Sequence, residues 1–330
     1  MYKLKRKINI DVKQDLTVVT PVREIDSLTR VEIEELIRLY EGISIILVVD
    51  KMSNLDIPNV VEVLSPSNNL SYKRNLGVNL LETKYTAFLD SDAYPHKGWA
   101  EIGMKFLEEN KNVGIVGGPN LEYKKLNQSQ VIPIAVYRSR LVNNESSLMK
   151  EYKSVDYVAS SNMIFRTSEY KDNGGMNEKV YTGEDIVLCA KYLDAGYKII
   201  FLRDMKVSHK QRYLIGFLKQ RFVWGRGVLN VFKYTKPRYI VSLAPLFGII
   251  INIMLLIIDI YLETLWLPTA LLIYSIIVTW ESSRVTKNFK EFFKVFPYLF
   301  LSLYALGLGS LYGIFMGDID NDYSMYDNRI

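Results

Sequence analysis

Short apolar runs alternate with stretches of helical periodicity through the first half of the chain. The apolar runs cover residues 16–21, 43–49, 60–64, 85–89 and 113–116. Segments with helical spacing cover residues 31–40, 72–81 and 102–109. Continuous apolar runs are typical of strands covered on both faces, and strands that alternate with helices indicate parallel βαβ units. The sequence therefore predicts an α/β domain, a class in which ligands bind at the carboxyl ends of the strands.

Residues capable of chemistry follow three of the predicted strands. They are Pro21-Val22-Arg23, Asp50 and Asp90-Ser91-Asp92. Because alternate side chains of an extended chain point the same way, Asp90 and Asp92 share a face. Two such carboxylates suit Mg²⁺ or Mn²⁺, ions that proteins usually hold through one or two carboxylates plus substrate phosphates. For this segment taken alone, an acidic turn before Pro95 is the alternative.

Composition and motif searches argue against several other classes of protein. The 330 residues carry a formal net charge of +5, which is too small a surplus to indicate nucleic-acid binding. Cys189 is the only cysteine, so the chain has no intrachain disulfide. The sequence contains neither G-x-G-x-x-G after the first strand nor G-x-x-x-x-G-K-[ST], which removes the main support for dinucleotide and P-loop sites. The first residues are basic but lack the apolar run of a signal peptide, so the N-terminal part is expected to stay in the cytoplasm.

The composition changes beyond Arg238 in a way that indicates a membrane region. Apolar runs of roughly membrane-spanning length cover residues 240–262, 265–280 and 295–316. The middle run is short, so a re-entrant arm is the alternative to a third span. Gly309 and Gly313 have the G-x-x-x-G spacing of closely packed membrane helices, although glycine is frequent in such helices for other reasons.

Charged residues around these runs set the predicted orientation. Basic residues precede the first run and fill the loop between the second and third: Lys233, Lys236, Arg238, Arg284, Lys287, Lys290 and Lys294. The tail after the third run is acidic, with Asp318, Asp320 and Asp322. By the positive-inside rule, these charges predict a cytoplasmic catalytic domain, three spans and an external C-terminus. The cationic and aromatic segment 217–233 predicts a helix that lies in the membrane interface.

Seven short segments, in a fixed order over about residues 16–212, carry a family resemblance. They are TVVTPVR (17–23), VVD (48–50), YKRNLG (72–77), FLDSD (88–92), SSN (160–162), GGMNE (174–178) and GEDIVL (183–188). With these segments the chain resembles the inverting glycosyltransferases of family 2, which have the GT-A fold, a Rossmann-like nucleotide-sugar-binding domain. The resemblance implies a GT-A domain at 1–212, an amphipathic interfacial region at 213–238 and a transmembrane region of about three helices at 239–330.

The resemblance implies a donor and metal site at the strand ends. Pro21, Arg23 and Ser91 would lie against the donor, and Asp50 would accept a hydrogen bond from its base. Arg74 would reach the nucleotide or its diphosphate. Asp90 would lie near the ribose and the metal, Asp92 would ligate Mn²⁺ or Mg²⁺, and His209 is a candidate third ligand. The alternatives are a strand-end turn for Asp50, a solvated helix charge for Arg74 and a helix-capping role for His209; Lys210 and Arg212 are further candidates for contact with the diphosphate.

The resemblance also implies residues on the acceptor side. Asp185 would be the general base that takes the proton from the acceptor hydroxyl, giving single displacement with inversion. The alternative for Asp185 is a favourable helix start. Trp99, Asn162 and Glu184 would orient or bind the acceptor, and residues 131–153 are expected to face the substrate. Gln220-Arg221 and Trp224 are similar to a block in processive polysaccharide synthases, but Val223 replaces an arginine there, which favours transfer of one or a few sugars.

The predicted function is transfer of a sugar from a UDP- or GDP-linked donor by a multi-pass enzyme of the cell membrane. The acceptor is expected to be a lipid-linked saccharide or a surface glycan, since a membrane anchor keeps the site within reach of lipid head groups. The expected partners are therefore the nucleotide sugar, that acceptor and membrane lipids, without nucleic acid. One alternative is a polyprenyl-phosphate sugar synthase, which would not need Asp185 as a base. A second is a non-catalytic membrane scaffold with a GT-A fold.

Overall fold

The computed structural model describes residues 11–122, 134–137, 139–142, 152–209 and 213–317, which fall into two units. The sheet unit contains the described residues 11–122 and 152–209. The helical unit contains the described residues 134–137, 139–142 and 213–317. The short inserted segment 134–142 thus groups with the C-terminal helices. Most of the predicted substrate-facing segment 131–153 lies outside the described residues, as do Lys210, Arg212 and the acidic tail.

Eleven strands are present among the described residues. They are β1 (Leu16–Pro21), β2 (Ser44–Val49), β3 (Val60–Leu64), β4 (Tyr85–Leu89), β5 (Ala93–Pro95), β6 (Val113–Gly117), β7 (Asn120–Glu122), β8 (Lys153–Val155), β9 (Asn162–Arg166), β10 (Lys198–Phe201) and β11 (Val207–His209). Eight of them form one sheet in the order β3-β2-β1-β4-β9-β6-β10-β8, and the other three form a small sheet in the order β5-β11-β7.

The large sheet is mixed. Strands β1 to β4 are parallel where they pair, and β6 and β10 are also parallel. Strand β9 is antiparallel to both β4 and β6, and β8 is antiparallel to β10. The predicted α/β class is confirmed, and the parallel strands agree with the expected GT-A arrangement. Strand β9 interrupts the parallel pattern: it lies between β4 and β6, comes later in the chain than both, and runs opposite to them.

Eleven α-helices are present among the described residues. They are α1 (Val12–Asp15), α2 (Ser27–Leu39), α3 (Leu70–Asn79), α4 (Trp99–Glu109), α5 (Ile134–Tyr137), α6 (Thr167–Asp172), α7 (Glu184–Asp194), α8 (Leu214–Thr235), α9 (Ala244–Leu262), α10 (Trp266–Val285) and α11 (Phe289–Met316). A 3₁₀ helix, Lys236–Leu243, joins α8 to α9. Asp26 caps α2, because its carboxylate accepts a hydrogen bond from the Thr29 N–H at 2.9 Å.

The core of the sheet unit lies on both faces of the large sheet. Successive residues of a strand point to opposite faces, and on β1 Val18 packs in one apolar cluster while Val19 packs in the other. Helices α2 and α4 contribute to the first cluster, and α3, α6 and α7 contribute to the second. The sheet and the helices on its two faces thus form a three-layer unit. Because β1, β2 and β4 are parallel, their carboxyl ends lie on one edge of this unit.

Two helices of the helical unit are long and apolar enough to span a membrane. They are Ala244–Leu262, with 19 residues, and Phe289–Met316, with 28 residues. The third predicted span forms a helix, α10, but this helix does not reach the same apolarity among the described residues. The physical reason is its polar C-terminal end, which includes Glu281 and Arg284.

Helices α8 and α11 pack at backbone contact. A Cβ atom added at Gly309 would lie 1.9 Å from the Phe222 carbonyl oxygen, and one added at Gly313 would lie 2.6 Å from that of Arg226. Real side chains do not approach so closely, so the G-x-x-x-G pair of α11 packs against α8. The segment predicted as an interfacial helix is thus a packed member of the helical unit.

Candidate active site

The acidic pair Asp90 and Asp92 directly follows β4. This strand pairs with β1 on one side and β9 on the other, so the pair lies at the carboxyl edge of the parallel strands. Both carboxylates remain partly exposed, at 38% for Asp90 and 24% for Asp92, whereas Ser91 between them is buried. The three residues form a turn between β4 and β5, closed by the Ala93 N–H donating to the Asp90 carbonyl at 2.8 Å, so turn geometry and not the predicted extended chain places the two carboxylates.

His209 lies beside the acidic pair because of the small sheet. Strand β11 runs antiparallel to β5, and its register sets His209 opposite Ala93, the residue after Asp92. Its Nε2 is 3.6 Å from Oδ2 of Asp90 and 3.4 Å from Oδ1 of Asp92. One ligand atom from each of the three side chains lies within 4.8 Å of the others.

The three side chains fit a divalent cation. Carboxylate oxygens suit Mg²⁺ and Mn²⁺, and an imidazole nitrogen is a ligand for transition metals. Two carboxylates and one imidazole leave positions for phosphate oxygens of a ligand, as in sites where a cation is shared between protein and nucleotide. The cluster therefore has the donor set that a nucleotide-bound cation requires.

Arg74 on α3 connects the acidic pair to α7. Its Nη2 donates to Oδ1 of Asp90 at 3.0 Å, and its Nη1 donates to Oε1 of Glu184 at 2.8 Å. The guanidinium lies over the ring of Phe88, 5.6 Å from the ring centre, and its side chain is 2% exposed. The arginine predicted to reach the diphosphate is thus buried between two carboxylates of the protein.

Glu184 and Asp185 open helix α7, which begins after Gly183 in the left-handed conformation at φ 74°. Burial raises the pKa of Glu184 to about 7; the charge of Asp185 adds to this rise and Arg74 opposes it. Burial also raises the pKa of Asp185, opposed by the Ile186 N–H and by Arg74. The Asp185 carboxylate accepts the Ile186 N–H at 2.8 Å and the Ser160 N–H at 3.4 Å. A carboxylate with a raised pKa is a stronger base than an ordinary aspartate.

Asp50 at the end of β2 is held by a neighbouring lysine. Nζ of Lys73 lies 2.6 Å from Oδ1 of Asp50 and donates to the Val22 carbonyl at 2.7 Å. Lys73 is buried, so its charge is available mainly to Asp50. Pro21 ends β1 at the same edge, and Arg23 beyond it is exposed. Lys73 was not predicted as a site residue, although it stands beside Arg74 in the YKRNLG segment.

Trp99 and Asn162, predicted to contact the acceptor, are buried. Nε1 of Trp99 donates to Oδ1 of Asn162 at 2.8 Å, and Nδ2 of Asn162 donates to the Met205 carbonyl at 2.8 Å. Trp99 is 0% exposed and Asn162 is 1% exposed. Both side chains are thus hydrogen-bonded within the sheet unit, and their contact with the acceptor stays a prediction.

Glu32 is a buried acid that was not predicted from the sequence. It is 0% exposed, and its Oε1 accepts the Thr20 hydroxyl at 2.7 Å. Its other oxygen is buried without a hydrogen-bond partner among the described residues. Complete burial raises its pKa, the Thr20 hydrogen bond opposes the rise, and the charges of Asp90 and Asp92 add to it. The sequence does contain a signal for this burial: Glu32 stands four residues before Leu36, on the apolar face of α2.

Several known proteins are similar to this chain. The pre-mycofactocin glycosyltransferase of Mycobacterium tuberculosis is 28% identical over 219 residues, which are 60% of this chain and 43% of that protein. Glycosyltransferase AglE of Haloferax volcanii is 30% identical over 159 residues, covering 48% of this chain and 50% of the other. O-antigen chain rhamnosyltransferase WbaN of Salmonella anatum is 25% identical over 184 residues, which cover 51% of this chain and 57% of that protein. The chain spans about half the length of these relatives.

A structural neighbour and a family profile complete the comparison. The crystal structure of S. aureus TarS 1-349 in complex with UDP-GlcNAc has a TM-score of 0.47 and 16% identity, over 66% of this chain and 67% of that chain. The profile described as Glycosyl transferase family group 2 matches residues 85–309, more than half of the chain. The match runs from β4 through the acidic pair and α7 into α11. The chain belongs to glycosyl transferase family group 2.

Proposed function

We propose that this protein transfers a sugar from a nucleoside-diphosphate sugar, UDP- or GDP-linked, to an acceptor hydroxyl with inversion at the anomeric carbon. The observation that carries the proposal is the cluster of Asp90, Asp92 and His209 at the carboxyl edge of the sheet. Family membership supports it, as do the sugar transfers named for relatives from three organisms.

The donor would lie along the ends of β1, β2 and β4. Asp50, oriented by Lys73, would accept an N–H from the base, and Pro21, Arg23 and Ser91 would border the nucleotide. Asp90, Asp92 and His209 would hold Mn²⁺ or Mg²⁺. When bound, such a cation neutralises charge on the leaving diphosphate.

Asp185 would act as the general base on the acceptor side. Its raised pKa and its place at the first turn of α7 support this assignment. The carboxylate would take the proton of the acceptor hydroxyl as that oxygen attacks the anomeric carbon from the face opposite the diphosphate. One base and one displacement account for inversion. Glu184, tied to Arg74, would support the position of Asp185.

The helical unit would hold the protein in a membrane. Large apolar side chains of α9 and α11 are exposed, including Ile253, Ile257, Ile260, Leu308 and Phe315. Exposed apolar surface of this extent on long helices favours lipid contact. We therefore propose a multi-pass protein with a cytoplasmic catalytic domain at 1–212, an amphipathic region at 213–238 and a membrane region at 239–330. A lipid-linked saccharide or surface glycan is the acceptor that fits a membrane enzyme.

A donor screen tests the proposed function. The full chain in detergent would be given a panel of UDP- and GDP-sugars with Mn²⁺ or Mg²⁺, and release of the nucleoside diphosphate would be measured. We expect release with at least one donor, and its loss on addition of a chelator. Absence of both release and binding across the panel would refute the proposal in favour of a non-catalytic scaffold.

A further inference from the structure

Arg74 occupies a place in the sheet unit that is unusual for a ligand of a soluble substrate. Its side chain is 2% exposed, and both terminal nitrogens donate to carboxylates of the protein. The remaining nitrogen, Nε, is buried without a partner among the described residues. The ring of Phe88 lies beside the guanidinium at 5.6 Å. The fork of the guanidinium is therefore committed to Asp90 and Glu184.

The two carboxylates that Arg74 joins come from distant parts of the sequence. Asp90 follows β4, and Glu184 is the first residue of α7. Residues 74 and 184 are 110 positions apart, and residues 74 and 90 are 16 apart. A planar guanidinium with two parallel donor directions fixes the angle between its partners more tightly than a flexible ammonium does.

The contact with Asp90 sets which oxygen is available to a cation. Oδ1 of Asp90 accepts from Arg74 at 3.0 Å, while Oδ2 lies 3.6 Å from Nε2 of His209. One oxygen is thus held by the protein and the other is directed at the candidate metal site. Without Arg74, rotation of the Asp90 carboxylate would cost little, and the ligand geometry would loosen.

The contact with Glu184 sets the start of α7. Asp185, the next residue, would move with any shift of this first turn. Because burying an unpaired carboxylate is costly, the Arg74–Glu184 pair also keeps Glu184 inside the unit. The same guanidinium therefore fixes a metal-binding carboxylate and the helix that carries the base.

We propose that Arg74 is a positioning residue that holds Asp90 in its cation-binding orientation and fixes the first turn of α7, and that it is not a ligand of the donor diphosphate. The inference rests on the proposed function for its catalytic meaning. Its two structural consequences, on cation binding and on nucleotide binding, can be measured without turnover.

Adjacent Lys73 supplies a matched comparison. Both basic residues lie on α3, their side chains are 1% and 2% exposed, and each pairs with a strand-end carboxylate, Asp50 for Lys73 and Asp90 for Arg74. Loss of Lys73 should disturb Asp50 and hence nucleotide binding, with cation binding unchanged. Loss of Arg74 should do the reverse. The two variants remove equally buried charges from the same helix, so general damage to α3 would affect them alike.

The experiment uses the full chain in detergent as wild type, Arg74→Met, Arg74→Lys and Lys73→Met. Binding of Mn²⁺ alone is followed by electron paramagnetic resonance, and binding of UDP and of GDP alone, with chelator present, by calorimetry. We expect Arg74→Met to weaken Mn²⁺ binding about tenfold with nucleotide affinity unchanged. Arg74→Lys should give a smaller loss of the same kind, and it carries the test if the Met variant does not fold. Lys73→Met should weaken nucleotide binding only.

A loss of nucleotide affinity in either Arg74 variant, or an unchanged Mn²⁺ affinity, would overturn the proposal. These outcomes differ from failure of the proposed function. In that case the wild-type protein would bind neither UDP nor GDP and would release no nucleoside diphosphate from any donor. A coupling measurement adds a second readout. The kcat loss of Arg74→Met combined with Glu184→Gln should be smaller than the product of the two single losses, because both changes break the same contact.

Discussion

Three acidic side chains near the end of β4 have different surroundings and hence different expected roles. Asp92 is partly exposed next to His209, Asp90 is shared between Arg74 and His209, and Glu32 is sealed in the core. Because Asp90 and Asp92 are partly exposed, they can hold a cation. Glu32 is sealed from ligands and can affect the site only through the protein interior.

Replacing Asp185 by Asn tests the proposed base. Because the amide cannot take a proton, kcat for transfer to an acceptor hydroxyl should fall about 10³-fold, within the usual contribution of general base catalysis. The KM for the donor should change little, since Asp185 is assigned to the acceptor side. Initial rates at varied donor concentration measure both. Activity within a few-fold of wild type would contradict the assignment and favour a lipid phosphate as the acceptor.

Replacing Glu32 by Gln should change how stability depends on pH. The raised pKa means that the folded protein keeps Glu32 protonated over a range where the unfolded chain has lost the proton. Wild-type stability therefore falls as pH rises from the ordinary carboxyl pKa toward the raised one, by at most about 1.4 kcal/mol per pH unit. Gln can still accept the Thr20 hydrogen bond but cannot ionise, so this loss should disappear.

Thermal unfolding of the wild type and of Glu32→Gln, with chelator present from about pH 5 to pH 8, checks this. The stability of the Gln variant relative to the wild type should increase as pH rises. Parallel stability curves for the two proteins would show that Glu32 ionises in the fold as it does in the unfolded chain.

At the scale of elements, the sequence predicted the strands that carry the acidic residues and missed the contacts that organise them. Strands β1, β3 and β4 have the predicted bounds, because continuous apolar runs with clear ends mark buried strands. The small sheet of β5, β7 and β11 was not predicted. Its strands have three residues each, which is too short for a periodic pattern, and its pairing is set by tertiary packing.

The same limit explains the outcome for single residues. The family resemblance made His209 a candidate ligand, but the register with β5 that brings it to Asp92 is visible only in three dimensions. Asn162 lies in the SSN segment, yet a sequence pattern does not show that its side chain is buried in a hydrogen bond with Trp99. Arg74 was assigned from its motif, and burial between two carboxylates is a property of the folded chain.

Packing of α8 against α11 predicts a large effect from a small substitution. Gly309→Ala would drive a methyl group to 1.9 Å from the Phe222 carbonyl, so the helices must separate, at a cost of roughly 1–3 kcal/mol. Gly248→Ala in α9 is the matched control, because an added Cβ there meets nothing within 4 Å. Thermal unfolding in detergent should show a lower midpoint for Gly309→Ala and an unchanged midpoint for Gly248→Ala. Equal effects would contradict the close contact.

At the scale of the whole molecule, the division of composition between sheet unit and helical unit predicts stable membrane association. Apolar side chains exposed on α9 and α11 should enter lipid, so the full chain should float with vesicles of neutral lipid and resist extraction by salt or alkali. Binding held only by the basic residues would instead require anionic lipid and be released by high salt. Flotation with both vesicle compositions distinguishes the two outcomes.

Donor cleavage in the proposed reaction depends on a cation held by Asp90, Asp92 and His209. The direct measurement is the Mn²⁺ dependence of nucleoside-diphosphate release by the full chain, compared between wild type, Asp92→Ala and Asp172→Ala. Asp172 is an exposed carboxylate at the end of α6 and serves as the control. We predict saturable Mn²⁺ dependence for the wild type and the control, with at least about a 10²-fold loss of rate in Asp92→Ala. Wild-type rates and Mn²⁺ dependence retained by Asp92→Ala would contradict a catalytic cation at these three side chains.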